Sequence, residues 1–442
     1  MTQLDTAFQL STSNLRFGAG TTREVGMDLE DMGLKRALLV IDPRLLNLPP
    51  GQTVRESLKA ARIDFETFTA VEVEPTDRSF QEAISVAREG RFDSFVAVGG
   101  GSTIDTAKAA NLYSTYPADF LDYVNAPIGR GKPIPGPLKP LIAIPTTAGT
   151  GSETTGVSIF DLVERKAKTG IAHRYLRPAL GIVDPDNTRT MPSAVAACTG
   201  LDVLSHALES YTAIPYSTRP RPERPLLRPA YQGANPISDI WALRALEIVA
   251  HFLPRAAADP SDDEARAQML LASSIAGIGF GNAGVHLPHG MSYPVAGMVK
   301  NFKPAGYSSD HPLIPHGMSV ILHTPAVVRF TASASRDRHL RAAVALGADS
   351  GDLCRVGQAS PRDSRRPTIS AEDAGNILAS RVIHFMRLLN MPSGLAAVGY
   401  TEADIPALVA GTLPQHRVTK LSPRPAGEPE LTQLFRDSMK IW

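Results

Sequence analysis

Three short apolar runs in the first 190 residues stop abruptly at glycine or proline, and that punctuation limits the folds open to this chain. Arg36 to Ile41 (RALLVI) ends at Asp42-Pro43, Phe95 to Val98 (FVAV) runs into three glycines, and Leu141 to Ile144 (LIAI) runs into Pro145. Helical patterns lie between them, clearest at Ser79 to Glu89, with a further short run at Phe65 to Phe68. Apolar strands separated by helices predict a parallel sheet covered on both faces, because the crossover helices bury each face. Val157 to Phe160 and Leu180 to Val183 are expected to pair at its edge.

After Pro192 helical periodicity takes over, at Ala194 to Tyr211, Ile237 to Phe252, Asp263 to Phe280, His316 to Phe330, Ala371 to Leu389 and Glu430 to Ile441. The expected organisation is an α/β N-terminal domain, residues 1–190, and an all-α C-terminal domain, residues 191–442, with the boundary near Asp184 to Pro192. For 442 residues two large domains are the natural division. A proline-rich and arginine-rich stretch, Pro215 to Pro229, interrupts the helical half and reads as loop.

Composition narrows the function classes. Lys+Arg 45 against Asp+Glu 44 leaves no net field to hold nucleic acid or an anionic membrane. Two cysteines, Cys198 and Cys354, make no disulfide framework and no Cys-x-x-Cys zinc pair. No apolar run approaches the length that crosses a bilayer, and MTQLDTAFQL lacks the pattern of a secretory signal. The expectation is a cytoplasmic protein with no nucleic-acid or membrane partner, assembled as a homo-oligomer.

The segment Val96 to Lys108 (VAVGGGSTIDTAK) delivers Gly99, Gly100 and Gly101 from a strand into a helix starting near Ser102. Glycines allow a phosphate close to the backbone, and free amides at a helix N-terminus attract the anion. The spacing is not the G-x-G-x-x-G fingerprint, and a tight turn capped by Ser102 is the alternative. Pro145 to Ser152 (PTTAGTGS) is a second polar turn after a strand, able to wrap a ribose, a phosphate or a nicotinamide. Asp42, just past the first strand, could accept bonds from an adenosine ribose and would repel a 2′-phosphate. Three such turns in one α/β domain point to a dinucleotide crevice.

The eleven histidines are unevenly spread. In Leu201 to Glu209 (LDVLSHALE), Asp202 and His206 are four apart in a helical pattern, on one face and about 6 Å apart along the axis. Gly284 to Pro294 (GVHLPHGMSYP) offers His286 and His289, and Asp310 to Gly317 (DHPLIPHG) offers His311 and His316. A carboxylate with imidazoles suits Fe²⁺, Zn²⁺ or another divalent first-row ion, not an all-oxygen Ca²⁺ site.

VGGGSTID, PTTAGTGSE, DVLSHALESY and the HGMSYP…PHG segments together resemble the iron-dependent group III alcohol dehydrogenases, over nearly the whole chain. GNAGVHLPHGMSYP, the long spacer before IPHG, and RPAYQGANPISD are similar to the hydroxyacid–oxoacid transhydrogenase branch. The resemblance implies a dehydroquinate synthase-like architecture: a dinucleotide-binding α/β domain, a helical metal-binding domain, and an active site between them. It implies metal ligation by Asp202, His206, His289 and His316, the last two chosen because each precedes a glycine, with His286 and His311 left to supporting roles. It places the phosphate turn on Gly99, Gly100, Gly101 and Ser102, with Asp105 following. The Thr-Thr pair falls on Thr146 and Thr147, the NAD-selecting acid on Asp42, and a further cofactor contact on Lys168. Tyr293 stands where many members carry a proton-relay histidine, and is a catalytic candidate here.

The implied cofactors are Fe²⁺, with Zn²⁺ possible, and NAD. The implied reaction carries hydride from a hydroxyacid such as 4-hydroxybutyrate, through a retained NAD, to an oxoacid such as 2-oxoglutarate. An ordinary dehydrogenase that exchanges its NAD is the main alternative; a lyase resembling dehydroquinate synthase is a weaker one. Carboxylate substrates need a cation, and Arg219, Arg221, Arg224 and Arg228 are the expected supply, unless that loop is simply solvated.

Overall fold

The computed structural model describes residues 3–165, 167–307, 311–349 and 369–442. Cys354, weighed above for disulfides, and Asp310, at the edge of the second histidine segment, lie outside them. The apolar runs become strands of one six-stranded, all-parallel sheet. These are β1 (Asn14–Phe17), β2 (Arg36–Ile41), β3 (Asp64–Phe68), β4 (Ser94–Gly99), β5 (Leu141–Pro145) and β8 (Leu180–Val183), in the order β1-β8-β5-β4-β2-β3.

Alternate residues of each strand feed opposite layers, as the period of two requires. Leu39, Ile41, Val96, Val98, Ile142 and Ile144 pack against Val25 and Leu29 of α1 (Val25–Asp31) and Val54 and Leu58 of α2 (Pro49–Ala60). Leu38, Val40, Phe95, Ala97, Leu141 and Ala143 pack against Ala83 and Ala87 of α3 (Asp77–Glu89) and Ile104 and Ala107 of α4 (Gly101–Thr115). A sheet wetted on neither face explains why its central strands read as unbroken apolar runs.

Two edge assignments change. Leu180–Val183 lies inside the sheet, between β1 and β5. Val157 begins β6 (Val157–Leu162), which leaves the sheet and pairs antiparallel with β7 (Ala167–Ala172). Asp161 gives the reason: a carboxylate has no place in a doubly covered sheet, but the hairpin sets it opposite Lys168, at 2.9 Å. Strand β1 carries no apolar signal because most of it is exposed.

From Ser193 onward the described residues form helices and turns, apart from isolated bridges. After the short α5 (Phe120–Tyr123) come α6 (Ser193–Thr212), α7 (Pro236–Ala258), α8 (Asp263–Ala283), α9 (Leu287–Gly297), α10 (His316–Ile321), α11 (Thr324–Thr331) and α12 (Arg336–Ala345). Then follow α13 (Ala371–Leu388), α14 (Ile405–Thr412), α15 (His416–Thr419) and α16 (Glu428–Asp437). Helix α6 is buried nearly all round, the mark of a central element rather than a surface one. The expected single helix from His316 to Phe330 breaks after Ile321, because Pro325 in the first turn of α11 has no N–H for Ile321. Among the described residues no single helix is long and apolar enough to cross a membrane.

The arginine-rich stretch is loop with short 3₁₀ turns at Tyr216–Thr218 and Pro225–Leu227. The N-terminal segment lies against it: Asp5, itself buried, takes ion pairs from Arg219 at 2.7 Å and Arg228 at 2.9 Å.

Candidate metal centre

Helix α6 places Asp202 and His206 on one face, and two other segments close over it. His289 comes from α9, and His316 opens α10. Asp202 Oδ1 is 3.7 Å from Nε2 of each of His206, His289 and His316. One ligand atom from each residue lies within 4.8 Å of every other. Bonds of about 2.0–2.2 Å to one tetrahedral ion would set such atoms ~3.4 Å apart. The four residues predicted from widely separated parts of the chain therefore meet at a spacing that suits one cation.

The glycine after each late histidine has a packing reason. A Cβ on Gly317 would lie 2.0 Å from the Cys198 carbonyl oxygen and 3.0 Å from Asp202 Cβ. Only hydrogen there lets α10 seat His316 against α6. A Cβ on Gly290 would meet Thr419 at 2.8 Å, so this second glycine brings α15 against the metal helix α9.

Glu209, which the sequence reading passed over, orients the centre. It lies two helical turns beyond Asp202 on the same face of α6, and its Oε1 is 2.6 Å from His289 Nδ1. Its other oxygen accepts from the His286 amide at 2.6 Å. The Oε1 contact accepts the Nδ1 proton of His289 and turns its Nε2 toward Asp202. His206 stacks on Phe280, ring centroids 3.9 Å apart, and on His289 at 4.7 Å, which fixes its plane.

The electrostatics favour a cation. Burial would raise the Asp202 carboxyl, but His206, His316 and His289 outweigh it and hold it well below the usual range. Burial pushes His206 down to about 4; it pulls on His289 too, but Glu209 and Asp202 push that ring up to about 10. With no cation present a proton on His289 offsets part of the charge of the two buried carboxylates, and a divalent ion at Nε2 would take that proton's place. Asp202 Oδ1 and His289 Nε2 are both buried without a protein hydrogen-bond partner. These orphaned atoms are what a metal would satisfy. His286 is set back, its Nε2 3.0 Å from Thr212 Oγ1, and His311 is exposed and outside the group.

The predicted nucleotide residues sit at adjoining strand ends. Asp42 follows β2, Gly99 ends β4 with Gly100 to Ser102 after it, and Thr146 follows β5, beside the β2/β4 switch point of the sheet. Helix α4 starts at Gly101, one residue earlier than expected, with Gly100 as N-cap and no side-chain cap. Ser102 is therefore not the cap; its hydroxyl accepts from the Glu74 amide at 3.2 Å, and no side chain caps the first-turn amides. The two turns interlock. The Thr146 amide donates to the Gly99 carbonyl at 3.0 Å, and Cβ atoms on Gly100 and Gly101 would lie 3.2 Å from Thr147 and 2.5 Å from Thr150.

Other predicted contacts are already engaged within the protein. Asp105 accepts from Ser152 Oγ at 2.6 Å and the Ile159 amide at 2.8 Å, so both of its oxygens tie the second turn and β6 to α4. Asp42 grips Arg44, through the backbone amide and Nε at 2.9 Å each and Nη2 at 2.6 Å. Lys168 is buried between Glu74 at 2.7 Å and Asp161 at 2.9 Å; burial lowers its pKa, but the two acids outweigh it and hold the cation. Glu74 thus joins the glycine turn, Lys168 and, through its field on His316, the metal centre. Tyr293 lies one turn beyond His289 on α9, and its hydroxyl accepts from Arg417 Nη2 at 2.9 Å. In the arginine loop, Arg219 and Arg228 belong to Asp5, and Arg221 and Arg224 are exposed.

A parallel sheet with a nucleotide-type turn, joined to helices that gather one carboxylate and three imidazoles, defines an oxidoreductase with a candidate metal centre. The model of the iron-containing alcohol dehydrogenases matches residues 12–185, and that of the family's C-terminal part matches 230–439. The chain belongs to the iron-containing alcohol dehydrogenase family, in its hydroxyacid–oxoacid transhydrogenase branch. It is 58% identical to the mitochondrial hydroxyacid-oxoacid transhydrogenase of Bos taurus, over 99% of this chain and 91% of that one. The Homo sapiens protein of that name is 56% identical with the same coverage. Among solved structures, a 1,3-propanediol oxidoreductase aligns with TM-score 0.82 at 27% identity, over 98% and 100% of the two chains. A sulfoacetaldehyde reductase from Bifidobacterium kashiwanohense, in complex with NAD⁺, aligns with TM-score 0.76 at 26% identity, over 98% of each.

One expectation is overturned. Those close relatives are named mitochondrial, which points to mitochondria rather than the cytoplasm. Balanced charge and few cysteines describe any reducing compartment and do not distinguish the two.

Proposed function

We propose that the protein oxidises a hydroxyacid and reduces an oxoacid at one site, 4-hydroxybutyrate and 2-oxoglutarate being the pair that the resemblance implies, with NAD retained between half-reactions. The reading rests above all on Asp202 Oδ1 standing 3.7 Å from three imidazole nitrogens, in a chain 58% identical to a named transhydrogenase. Asp202, His206, His289 and His316 would hold the metal, with Fe²⁺ the first candidate and Zn²⁺ the second. Gly99 to Ser102, the Thr146–Thr147 turn and Asp42 would hold the dinucleotide, and residues 1–190 and 191–442 act as its binding unit and the metal unit. When bound, the cation supplies Lewis acidity towards a hydroxyl or carbonyl oxygen, and the nicotinamide carries hydride.

The chain's own residues do the rest. Glu209 keeps the His289 proton on Nδ1 throughout. Phe280 shields the His206 face from water. His316, the ligand with most exposure, marks the side from which substrate arrives. The uncapped start of α4 offers amides to a phosphate, and Lys168, its charge taken up by Glu74 and Asp161, ties the β6–β7 hairpin to the segment that holds the glycine turn.

The test is anaerobic purification followed by analysis of bound metal and co-purifying nucleotide, then turnover with donor and acceptor alone. Turnover without added NAD is the expected result. An absolute requirement for added NAD would favour an ordinary dehydrogenase, and absence of stoichiometric metal would overturn the reading.

A further inference from the structure

The centre described so far would bind any alcohol; nothing in it recognises an acid. In the arginine loop Arg219 and Arg228 share Asp5, and Arg221 and Arg224 are exposed, unlike the buried ligands Asp202, His206 and His289. A different guanidinium is tied to the metal helix α9 itself. Arg417, on α15, donates to Tyr293 Oη at 2.9 Å and lies over the Tyr231 ring, 4.9 Å from its centroid. Tyr293 is one turn beyond His289 on α9, and Tyr231 packs edge-on to Phe280, the ring stacked on His206. Its Nη1 is buried with no hydrogen-bond partner, and among the described residues no carboxylate pairs with it. Burial lowers its pKa, but the neighbouring tyrosines hold it charged. Arg417 as a whole is half-buried, but a guanidinium nitrogen covered from water and given no anion is costly, so a fold that keeps one beside a reaction centre has a use for it.

We infer that Arg417 is the substrate carboxylate's partner, making it the residue that selects hydroxyacids and oxoacids over neutral alcohols and aldehydes. The inference rests on the transhydrogenase reading above. One helical turn, about 6 Å, separates Tyr293 from His289 along α9. A four-carbon hydroxyacid spans roughly 5 Å from hydroxyl oxygen to carboxylate carbon, so an acid lying along α9 reaches from the imidazoles to the guanidinium. Tyr293 is then a positioning residue: it holds one terminal nitrogen of Arg417 and leaves the other to the acid. Gly290 makes this possible by admitting α15 so close to α9.

The experiment compares Arg417→Gln, Arg417→Lys and Tyr293→Phe with the wild-type holoenzyme on 4-hydroxybutyrate and on its amide, which keeps the shape but loses the charge and one acceptor oxygen. Arg417→Gln should lower kcat/KM for the acid ~10–100-fold, chiefly through KM, and change the amide by no more than about threefold. Arg417→Lys should recover part of the loss, and Tyr293→Phe should show a smaller version of it. In a second arm glutarate, which has nothing to oxidise or reduce, should raise the thermal midpoint of the wild type and not of Arg417→Gln. An unchanged acid-to-amide ratio in Arg417→Gln, an equal fall on both substrates, or undiminished glutarate stabilisation would overturn the assignment. If Arg417→Gln does not fold, an unchanged ratio in both other variants would do so. Should the wild type fail to turn over hydroxyacids at all, the transhydrogenase reading falls, while the glutarate arm still decides whether Arg417 holds a carboxylate.

Discussion

Glu209 Oε1 lies 2.6 Å from Nδ1 of His289, with both side chains buried and joined across two helices. One carboxylate thereby sets the tautomer of a metal-facing ring from the side away from the metal. Glu209→Gln keeps the shape and removes the charge, and should weaken metal binding ~10–100-fold. Competition against a chelator of known affinity measures this; an unchanged affinity would mean that the contact only packs the helices.

Gly317 tests the closeness of α6 and α10. Its substitution by alanine pushes a methyl into the Cys198 carbonyl, a backbone atom that cannot turn aside. A loss of about 1–3 kcal/mol in unfolding free energy is expected, together with substoichiometric metal as His316 is displaced. Denaturant titration and metal analysis on the same preparation give both values. Full metal content in a destabilised Gly317→Ala would show that the glycine serves packing alone.

Asp42 and Arg44 form a pair in which the acid occupies the guanidinium. Asp42→Ala frees that cation where a 2′-phosphate would sit. The ratio of NADPH to NADH affinity should then rise about tenfold, the equivalent of one nearby charge. Equilibrium titration of nucleotide-free protein reads the ratio; no change would place the adenosine elsewhere.

Much of this was legible in the chain, for definite reasons. Asp202 and His206 announce themselves because a helix repeats every 3.6 residues, and the same rule would have found Glu209 at the next turn but one. His289 and His316 stand out from His286 and His311 through the glycines behind them, whose purpose is visible only in the packing. β2, β4 and β5 show as apolar runs because both of their faces are dry, while β1, largely wet, was invisible. The break between α10 and α11 lay in Pro325, overlooked inside an otherwise periodic stretch. Arg417 gave no sign at all: an exposed-looking arginine in a short helix near the C-terminus acquires meaning only once α15 is folded against α9. Of the four arginines that did draw notice, Arg219 and Arg228 belong to Asp5, more than 200 residues back along the chain, and Arg221 and Arg224 are exposed.

His323 is one of the buried histidines that make the helical half sensitive to acid, and it lies apart from the proposed metal ligands. It is fully buried at the start of α11, edge-on to Phe435, with neither ring nitrogen partnered. Burial pushes it down to about 3, against a weak opposing pull from Glu209. Between about 6.5 and 3 the unfolded chain takes up a proton that the folded chain refuses. Stability therefore rises with pH across that window and drains away as pH falls through it. His323→Leu should flatten the dependence of the thermal midpoint on pH from 6.5 downward; a parallel curve would acquit this histidine.

The β6–β7 hairpin belongs by sequence to the first half of the chain, yet Gln415 of the helical half donates its side-chain amide to the Lys168 carbonyl at 3.2 Å. Lys168 itself is clamped by Glu74, whose amide in turn holds the glycine turn. The hairpin is thus a clasp with anchors on both banks. Were the proposed dinucleotide to lie beneath it, its residence time would follow how often that clasp unfastens, and a borrowed carrier would become a resident one without a covalent tether.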